Sequence, residues 1–402
     1  MKLFGTQQQS GDIADFQYLD EKSIYLDSAC QTLRPQPVID AMVEYFHTYN
    51  TCGGRVKYDW GVKLDEKIKE TRRQVLALLG KSESEYVVAF TLNTTYGINL
   101  VLGQLPSKFK KITTSDIEHN SVFLPTITAA KRLNVPRIVL SRLTDGSLEY
   151  TADDLSGAVV VLNSTSNIDG RPLLNLKDIA DDVHKTDGIV LIDAAQGMGH
   201  NRELLRSSDF DALFFSGHKL YGPSLGVIVI KRSLLSMLDI RFIGGGMVED
   251  VESENYSLVS SPEDISSLLE IGLQDFAGII GLNAAIKWFE NYKPEGQNKD
   301  AHQAKLSRLL FDKLTEMPKI KLVNSEPTTI ISFYSEKVDA HRLAIYLSSQ
   351  NIMTRSGYFC CHYFLKNLKE YPPLVRISLG LHNTEEQVEK FIKIFKAILA
   401  NV

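Results

Sequence analysis

The chain has 402 residues, 44% of them hydrophobic, so it can bury a large core and is long enough for two or three structural units. Its 44 basic and 49 acidic residues are interspersed and leave a formal net charge of -5, which excludes the electrostatic footprint of a nucleic-acid or anionic-membrane binder. No apolar run approaches the roughly 20 residues that span a bilayer, and the opening MKLFGTQQQSGDIADF lacks the apolar core of a signal peptide, so a cytoplasmic location is expected.

Helical periodicity comes first, in PQPVIDAMVEYF (35–46) and in VKLDEKIKETRRQVLALLG (62–80), the latter closed by Gly80. Short apolar runs follow: YVVAF (86–90), IVL (138–140), AVVVL (158–162), GIVLI (188–192), DALFF (211–215) and GVIVI (226–230). Most alternate with helical segments such as LKDIADDVHK (176–185). Strands apolar on both faces and separated by helices predict a mostly parallel sheet covered on both sides, an α/β class. The stretch MVEDVESENYSLVSSPEDISS (247–267) reads as a long acidic surface loop. After the helix GIIGLNAAIKWFENY (278–292), the polar KPEGQNKD reads as a linker. Strands TTIISFY (328–334) and LVRISL (374–379), with helices at 340–349 and 384–399, then predict a smaller C-terminal α+β unit. The expected division is 15–290 for the large domain and 291–402 for the small one, with segment 1–34 contributing to the small domain or to the mouth of the site.

Four cysteines, Cys30, Cys52, Cys360 and Cys361, are too few and too scattered for a disulfide framework, and no CxxC pair suggests a structural metal. Free thiols are expected.

Ligands in open α/β sheets bind beyond the carboxyl ends of strands. Lys219 of FFSGHKLYGP stands just past one such end and Asp193 of GIVLIDAAQ closes another. Alone, the first would be a turn lysine and the second a helix cap. Together they suit pyridoxal phosphate, whose aldehyde condenses with a lysine amine and whose ring nitrogen stays protonated beside a carboxylate. Thr94 and Thr95, at the start of a helix in NTTYGINL, suit its phosphate, and Ser216 and His218 are further donors. An amino-acid substrate brings a carboxylate, for which Arg376 of LVRISL is the candidate fork and Arg355 a second cation.

The landmarks LDSACQTLRP (26–35), NTTYGINL, EHNSVFLP (118–125), STSNIDG (164–170), IDAAQ (192–196), SGHKLYGP, RSGYFC (355–360) and RISLGLHNTEEQVEKF (376–391) run in an order that resembles the class V aminotransferase superfamily. Within it they are most similar to the group II cysteine desulfurases and selenocysteine lyases. The resemblance implies fold type I of the pyridoxal phosphate enzymes, aspartate aminotransferase-like, with a seven-stranded-type sheet. It places His119 on the face of the pyridine ring, Asn167 and Gln196 near the phenolic oxygen, Asp193 at the ring nitrogen and the cofactor linkage on Lys219. A loop of form R-[ST]-G-x-x-C selects Cys360 as the nucleophile that takes sulfur from substrate cysteine as a persulfide and leaves alanine. Its neighbour Cys361 keeps the assignment open, and Arg355 and His362 stand close enough in sequence to favour a thiolate. An aminotransferase, an epimerase or a kynureninase-like hydrolase is the alternative, with both thiols as bystanders.

The resemblance also implies a homodimer with sites at the interface, and a protein that accepts the sulfur. Three places depart from the pattern. Leu273 stands where relatives carry a threonine that reaches the partner's phosphate, TCGGRVKY (51–58) replaces an H-R-G element around Arg55, and Tyr358 and Phe359 stand where relatives often have histidines.

Overall fold

The computed structural model describes residues 14–401 apart from 21, 55, 262 and 263, so Arg55 lies outside the described residues. The strands are β1 (Ile24–Tyr25), β2 (Tyr86–Thr91), β3 (Lys111–Ser115), β4 (Arg137–Arg142), β5 (Leu148–Glu149), β6 (Ala158–Asn163), β7 (Ile189–Asp193), β8 (Ala212–Ser216) and β9 (Gly226–Lys231). They continue with β10 (Val248–Val251), β11 (Tyr256–Leu258), β12 (Ile320–Leu322), β13 (Ile330–Ser335), β14 (Ile352–Met353), β15 (Arg355–Gly357) and β16 (Leu374–Ser378). The longer helices are α1 (Gln36–Thr48), α2 (Asp59–Leu79), α3 (Thr94–Gly103), α4 (Asn120–Leu133), α5 (Leu176–His184), α6 (Phe276–Asn291), α7 (Lys299–Thr315), α8 (Ala340–Ser348) and α9 (Glu385–Ala400).

The large sheet has the order β2-β9-β8-β7-β6-β3-β4-β5, that is, seven full strands and the two-residue β5 at one edge. Its centre is parallel, but β9 runs antiparallel to both β8 and β2. Residues alternate between two apolar layers. Val160, Leu162, Val190, Ile192, Leu213 and Phe215 enter one layer, while Val159, Val161, Ile189, Leu191, Ala212 and Phe214 enter the other. That is why these runs carry no polar residue: a strand covered on both faces has no solvent side.

One strand was not anticipated, and one expectation needs correction. KITTS, over β3, is an interior strand between β6 and β4 that its hydroxyl content concealed. Thr113 and Thr114 are fully buried, with hydroxyls donating to Asp154 O at 2.6 Å and Val161 O at 2.8 Å, so burial leaves them satisfied. The acidic stretch expected as a loop contains an antiparallel hairpin, β10 with β11, and a 3-10 turn at Ile265–Leu268. Its strand side chains are mostly exposed, so it lacks the apolar alternation that signals a half-buried strand.

The second sheet is antiparallel, in the order β12-β13-β16-β15, and packs with α7, α8 and α9 around Ile331, Phe333, Ile377, Phe391 and Phe395. KPEGQNKD supplies a 3-10 turn and then Asn298, whose side chain caps α7 through the N–H groups of Asp300 and Ala301 at 2.8 and 3.3 Å. The N-terminal β1 pairs in parallel with β14, and Asp27 bridges to Ser378, so the chain enters through the smaller sheet before building the larger one.

At the start of β9 the backbone passes hard against the entry to α3. A Cβ on Gly226 would sit 2.4 Å from the carbonyl carbon of Asn93 and 2.6 Å from its Cα. Gly226→Ala is expected to cost about 1–3 kcal/mol, read as a lower urea midpoint. An unchanged midpoint would mean that the approach is looser than this packing requires.

Candidate active site

β6, β7 and β8 end side by side in Asn163, Asp193 and Ser216, and an open cavity of about 240 Å³ lies beyond those ends. After Ser216 the chain makes one 3-10 turn, Gly217–Lys219. Gly217 is required there, since a Cβ would meet Pro223 O at 2.6 Å. Thr32 pins the turn from outside: its N–H donates to His218 O at 2.9 Å and its hydroxyl accepts the Tyr221 N–H at 2.8 Å. The Tyr221 hydroxyl in turn accepts the Leu381 N–H at 2.7 Å. Lys219 is thereby carried into the cavity wall by a rigid turn.

Of the residues singled out from sequence, Thr94, Thr95, His119, Asn167, Asp193, Gln196, Ser216, His218, Lys219, Arg355, Cys360 and Arg376 line this cavity, whereas Cys361 and His362 do not. The Asp193 carboxyl is raised by burial, against the Ala195 N–H that it accepts at 2.9 Å and the charge of Lys219. Burial lowers the Lys219 amine; Asp193 opposes that shift and Arg376 adds to it.

At the N-terminal end of α3, the Thr94 and Ser216 hydroxyls meet at 2.6 Å and those of Thr95 and Ser121 at 2.7 Å. Beside them, His218 Nδ1 is buried without a partner among the described residues. Burial, then Lys219 and Arg34, push His218 down to about 4. An orphaned imidazole nitrogen, four hydroxyls and a helix N-terminus form a cradle for a phosphate. With Lys219 and Asp193 opposite, the residues present fit pyridoxal phosphate.

His119 caps α4 by accepting the Ser121 N–H on Nδ1 at 3.1 Å, which places its proton on Nε2. Burial, reinforced by Lys219 and Arg376, pushes it down to about 3, so it is a neutral ring. Gln196 Nε2 donates to Ala29 O at 2.8 Å. Asn167 is occupied on three sides. Its amide donates to Phe359 O at 2.8 Å, its Oδ1 accepts the Cys361 thiol at 3.0 Å, and its backbone oxygen accepts Arg376 Nη1 at 3.1 Å.

Arg376 is 4% exposed, on β16 between β13 and β15, so it is not an edge-strand surface residue. Its Nη2 meets Asp27 Oδ1 at 3.2 Å, its guanidinium lies 4.8 Å from the Phe359 ring centroid, and its Nε is buried without a partner among the described residues. Cys360 is exposed at the cavity wall, whereas Cys361 is fully buried and its thiol is pushed up by burial and then by Glu118. His362 reaches Asn120, with Nδ1 3.2 Å from the Asn120 amide, and does not line the cavity.

Several contributors were not found by sequence. Asn163 lines the cavity and is held through its N–H and amide by Glu118 Oε2 at 2.9 and 3.0 Å. The signal was available, because Asn163 closes AVVVL as Asp193 closes GIVLI. Glu118 itself is buried and pushed up to about 8 by burial. Asn93, Ser121 and Thr165 line the cavity as well, and so does Cys30 of the LDSAC element, which the resemblance places near the mouth of the site.

A mostly parallel α/β sheet with a lysine-bearing turn at its carboxyl edge and a second sheet closing the site defines the class. The chain belongs to the class-V aminotransferase family, whose pattern matches residues 24–391. A probable cysteine desulfurase of Haemophilus influenzae is 31% identical over 384 residues, which cover 92% of this chain and 85% of that protein. One from Methanothermobacter thermautotrophicus is 31% identical over 380 residues, covering 91% and 92%. The apo structure of a cysteine desulfurase from Thermococcus onnurineus superposes with a TM-score of 0.84 at 28% identity, covering 95% of this chain and 96% of that one. The fold is that of the type I pyridoxal phosphate enzymes.

The buried histidines make stability depend on pH. An unfolded imidazole protonates near pH 6.5, whereas His119 resists protonation to about 3. Between those values the unfolded state binds more protons. The stability His119 contributes is therefore complete above about pH 6.5 and is lost as pH falls toward its folded value. Urea midpoints taken from pH 7 to 5 should fall less steeply for His119→Gln than for wild type. Equal slopes would show that His119 is not held neutral.

Proposed function

We propose that this chain is a pyridoxal phosphate-dependent cysteine desulfurase that converts L-cysteine to L-alanine and keeps the sulfur as a persulfide on Cys360. One observation carries the reading: an exposed thiol stands on the wall of the same cavity that holds Lys219, Asp193 and Arg376. The names of the relatives support it.

When bound, pyridoxal phosphate supplies an aldehyde for the substrate amine and a ring that stores the electrons released at the α-carbon. Thr94, Thr95, Ser216 and His218 would hold its phosphate, Asp193 would serve its ring nitrogen, His119 would pack on the ring, and Asn167 and Gln196 would serve its phenolic oxygen. The second proton of the Asn167 amide is available for that contact, since one goes to Phe359 O.

Arg376 receives the substrate carboxylate through its unpartnered Nε, with Arg355 as a second cation at the mouth. Lys219, with its amine lowered by burial, takes the α-proton as general base and returns it as acid. The Cys360 thiolate attacks the substrate sulfur; an S–S bond forms as the carbon–sulfur bond breaks. The electron pair stays with carbon, which is protonated to the methyl group of alanine. The burial of Cys361 and its bond to Asn167 favour Cys360 over it for this role.

A homodimer, a cytoplasmic location, a sulfur-accepting protein and division near residue 290 complete the proposal. Among the described residues no helix is long and apolar enough to cross a membrane. Phe242, Ile243 and Leu273 are exposed on adjoining segments tied by the Gly272 N–H to Gly245 O bond at 2.9 Å, and this apolar surface supports a second copy. Leu273 cannot hydrogen-bond a phosphate as a threonine does.

The test is alanine release from L-cysteine by the cofactor-loaded protein with a reductant. Wild type and Cys361→Ser should release alanine, while Cys360→Ala should fall at least about 100-fold, as expected when a covalent nucleophile is removed. Alanine from Cys360→Ala at the wild-type rate would sink the persulfide assignment. No alanine from wild type would move the chain to the aminotransferase, epimerase or hydrolase group.

Lys219→Ala should abolish turnover and prevent borohydride from fixing cofactor to the protein. Cofactor fixed in that variant would remove Lys219 from its role.

A further inference from the structure

The loop that carries Cys360 holds an unfavourable backbone. Gly357 has φ 122°, and the two residues Phe359 and Cys360, both with a Cβ, follow at φ 48° and 59°. Side-chain-bearing residues rarely adopt this region, and two in succession persist only where surrounding contacts over-determine them. The Cys361 N–H closes the turn over them on Tyr358 O at 2.8 Å, and three further bonds hold it from outside or through side chains. Asn120 N–H donates to Cys360 O at 2.6 Å, Asn167 Nδ2 donates to Phe359 O at 2.8 Å, and the Cys361 thiol donates to Asn167 Oδ1 at 3.0 Å. The last two straddle Cys360, one on the residue before it and one on the residue after. Cys361 is fully buried in a cluster with Ile117, Ile168, Leu365 and Leu374, and its thiol donates to Asn167 Oδ1 from there.

We propose that Cys361 is a positioning residue whose thiol, clasped to Asn167, holds the strained loop so that Cys360 faces the cavity. The inference rests on reading Cys360 as the nucleophile. Asn167 also accepts Arg376 Nη1 on its backbone oxygen, so the clasp ties the group that grips the substrate carboxylate to the loop that delivers sulfur chemistry. The requirement is for a donor of small volume rather than for a reactive thiol. Serine keeps the donor; alanine removes it and leaves a gap; valine fills the volume and leaves the buried Asn167 oxygen without its bond.

Hydrogen–deuterium exchange of the peptide spanning 354–364 in the cofactor-loaded protein tests this directly. Cys361→Ala and Cys361→Val should exchange about three- to tenfold faster there, as for loss of one buried hydrogen bond, while the peptide over β6 keeps its rate. Cys361→Ser should restore the wild-type rate. In alanine release, the Ala and Val variants should lower kcat with KM unchanged, and Ser should restore it. An unchanged loop in Cys361→Val, a serine variant as fast as the valine one, or exchange rising equally over β6 would each overturn the clasp. Turnover surviving in Cys360→Ala would instead remove the nucleophile reading, and the exchange result is independent of it.

Discussion

The register between β7 and β8 is the constraint on which the cavity depends. Asp193 pairs with Phe214, and β8 then runs on to Ser216 before turning through Gly217–Lys219. A slip of one residue would send the Asp193 side chain to the opposite face and exchange every apolar side chain between the two layers. Both layers are apolar, so an inside-outside pattern cannot resist that slip. The strand ends do. At one end the Ala194 N–H donates to Phe214 O at 2.8 Å; at the other Asp211 donates its N–H to Val190 O at 2.8 Å and accepts the Val190 N–H on its carboxylate at 2.7 Å. Polar groups confined to the termini align strands whose middles carry no positional information.

Charge in the cavity follows from the same burial. Histidines that a solvent site would leave titrating near neutrality are kept neutral, at about 3 for His119 and about 4 for His218. Lys219 is lowered and Asp193 raised by the same loss of water. A ligand that brings a cationic nitrogen to Asp193 would offset its desolvation, and under the proposed reading the helix end and Arg376 would receive anionic groups of the same ligand. A desolvated site of this kind is organised for a zwitterionic ligand before one arrives.

Much of this was legible because chemistry and topology coincide at strand ends. A charged residue closing an apolar run is informative, and Lys219 and Asp193 stood out for that reason. Asn163 closes a run too, but an uncharged amide raises no electrostatic question and passed unnoticed. β3 was missed because Thr113 and Thr114 look polar until their hydroxyls are seen spent on neighbouring carbonyls. The choice between Cys360 and Cys361 cannot be made from adjacency, since consecutive residues face opposite ways only in a regular strand. Here a pair of left-handed residues decides which thiol is turned toward the cavity and which is sealed below it.

The two halves of the proposed chemistry stand on different sheets, with Lys219 and Asp193 at the edge of the large one and Arg376 and Arg355 on the small one. Catalytic alignment is therefore a matter of docking, and the segment after β6 performs it. Ile168 O accepts the Ser332 hydroxyl at 2.5 Å, Asp169 O accepts Asn324 Nδ2 at 3.0 Å and the Thr328 hydroxyl at 2.6 Å, and Asn167 O accepts Arg376. A Cβ on Gly170 would come within 2.6 Å of that Thr328 hydroxyl, so the surfaces meet without slack. The N-terminal segment adds a second stitch, since Asp27 holds Arg376 while Ala29 O accepts Gln196 from the large sheet. Backbone carbonyls gripped by side chains set an orientation that apolar packing alone would leave free to slide. For that reason the polar seam, more than either core, fixes the distance between the lysine proposed to move the proton and the thiol proposed to take the sulfur.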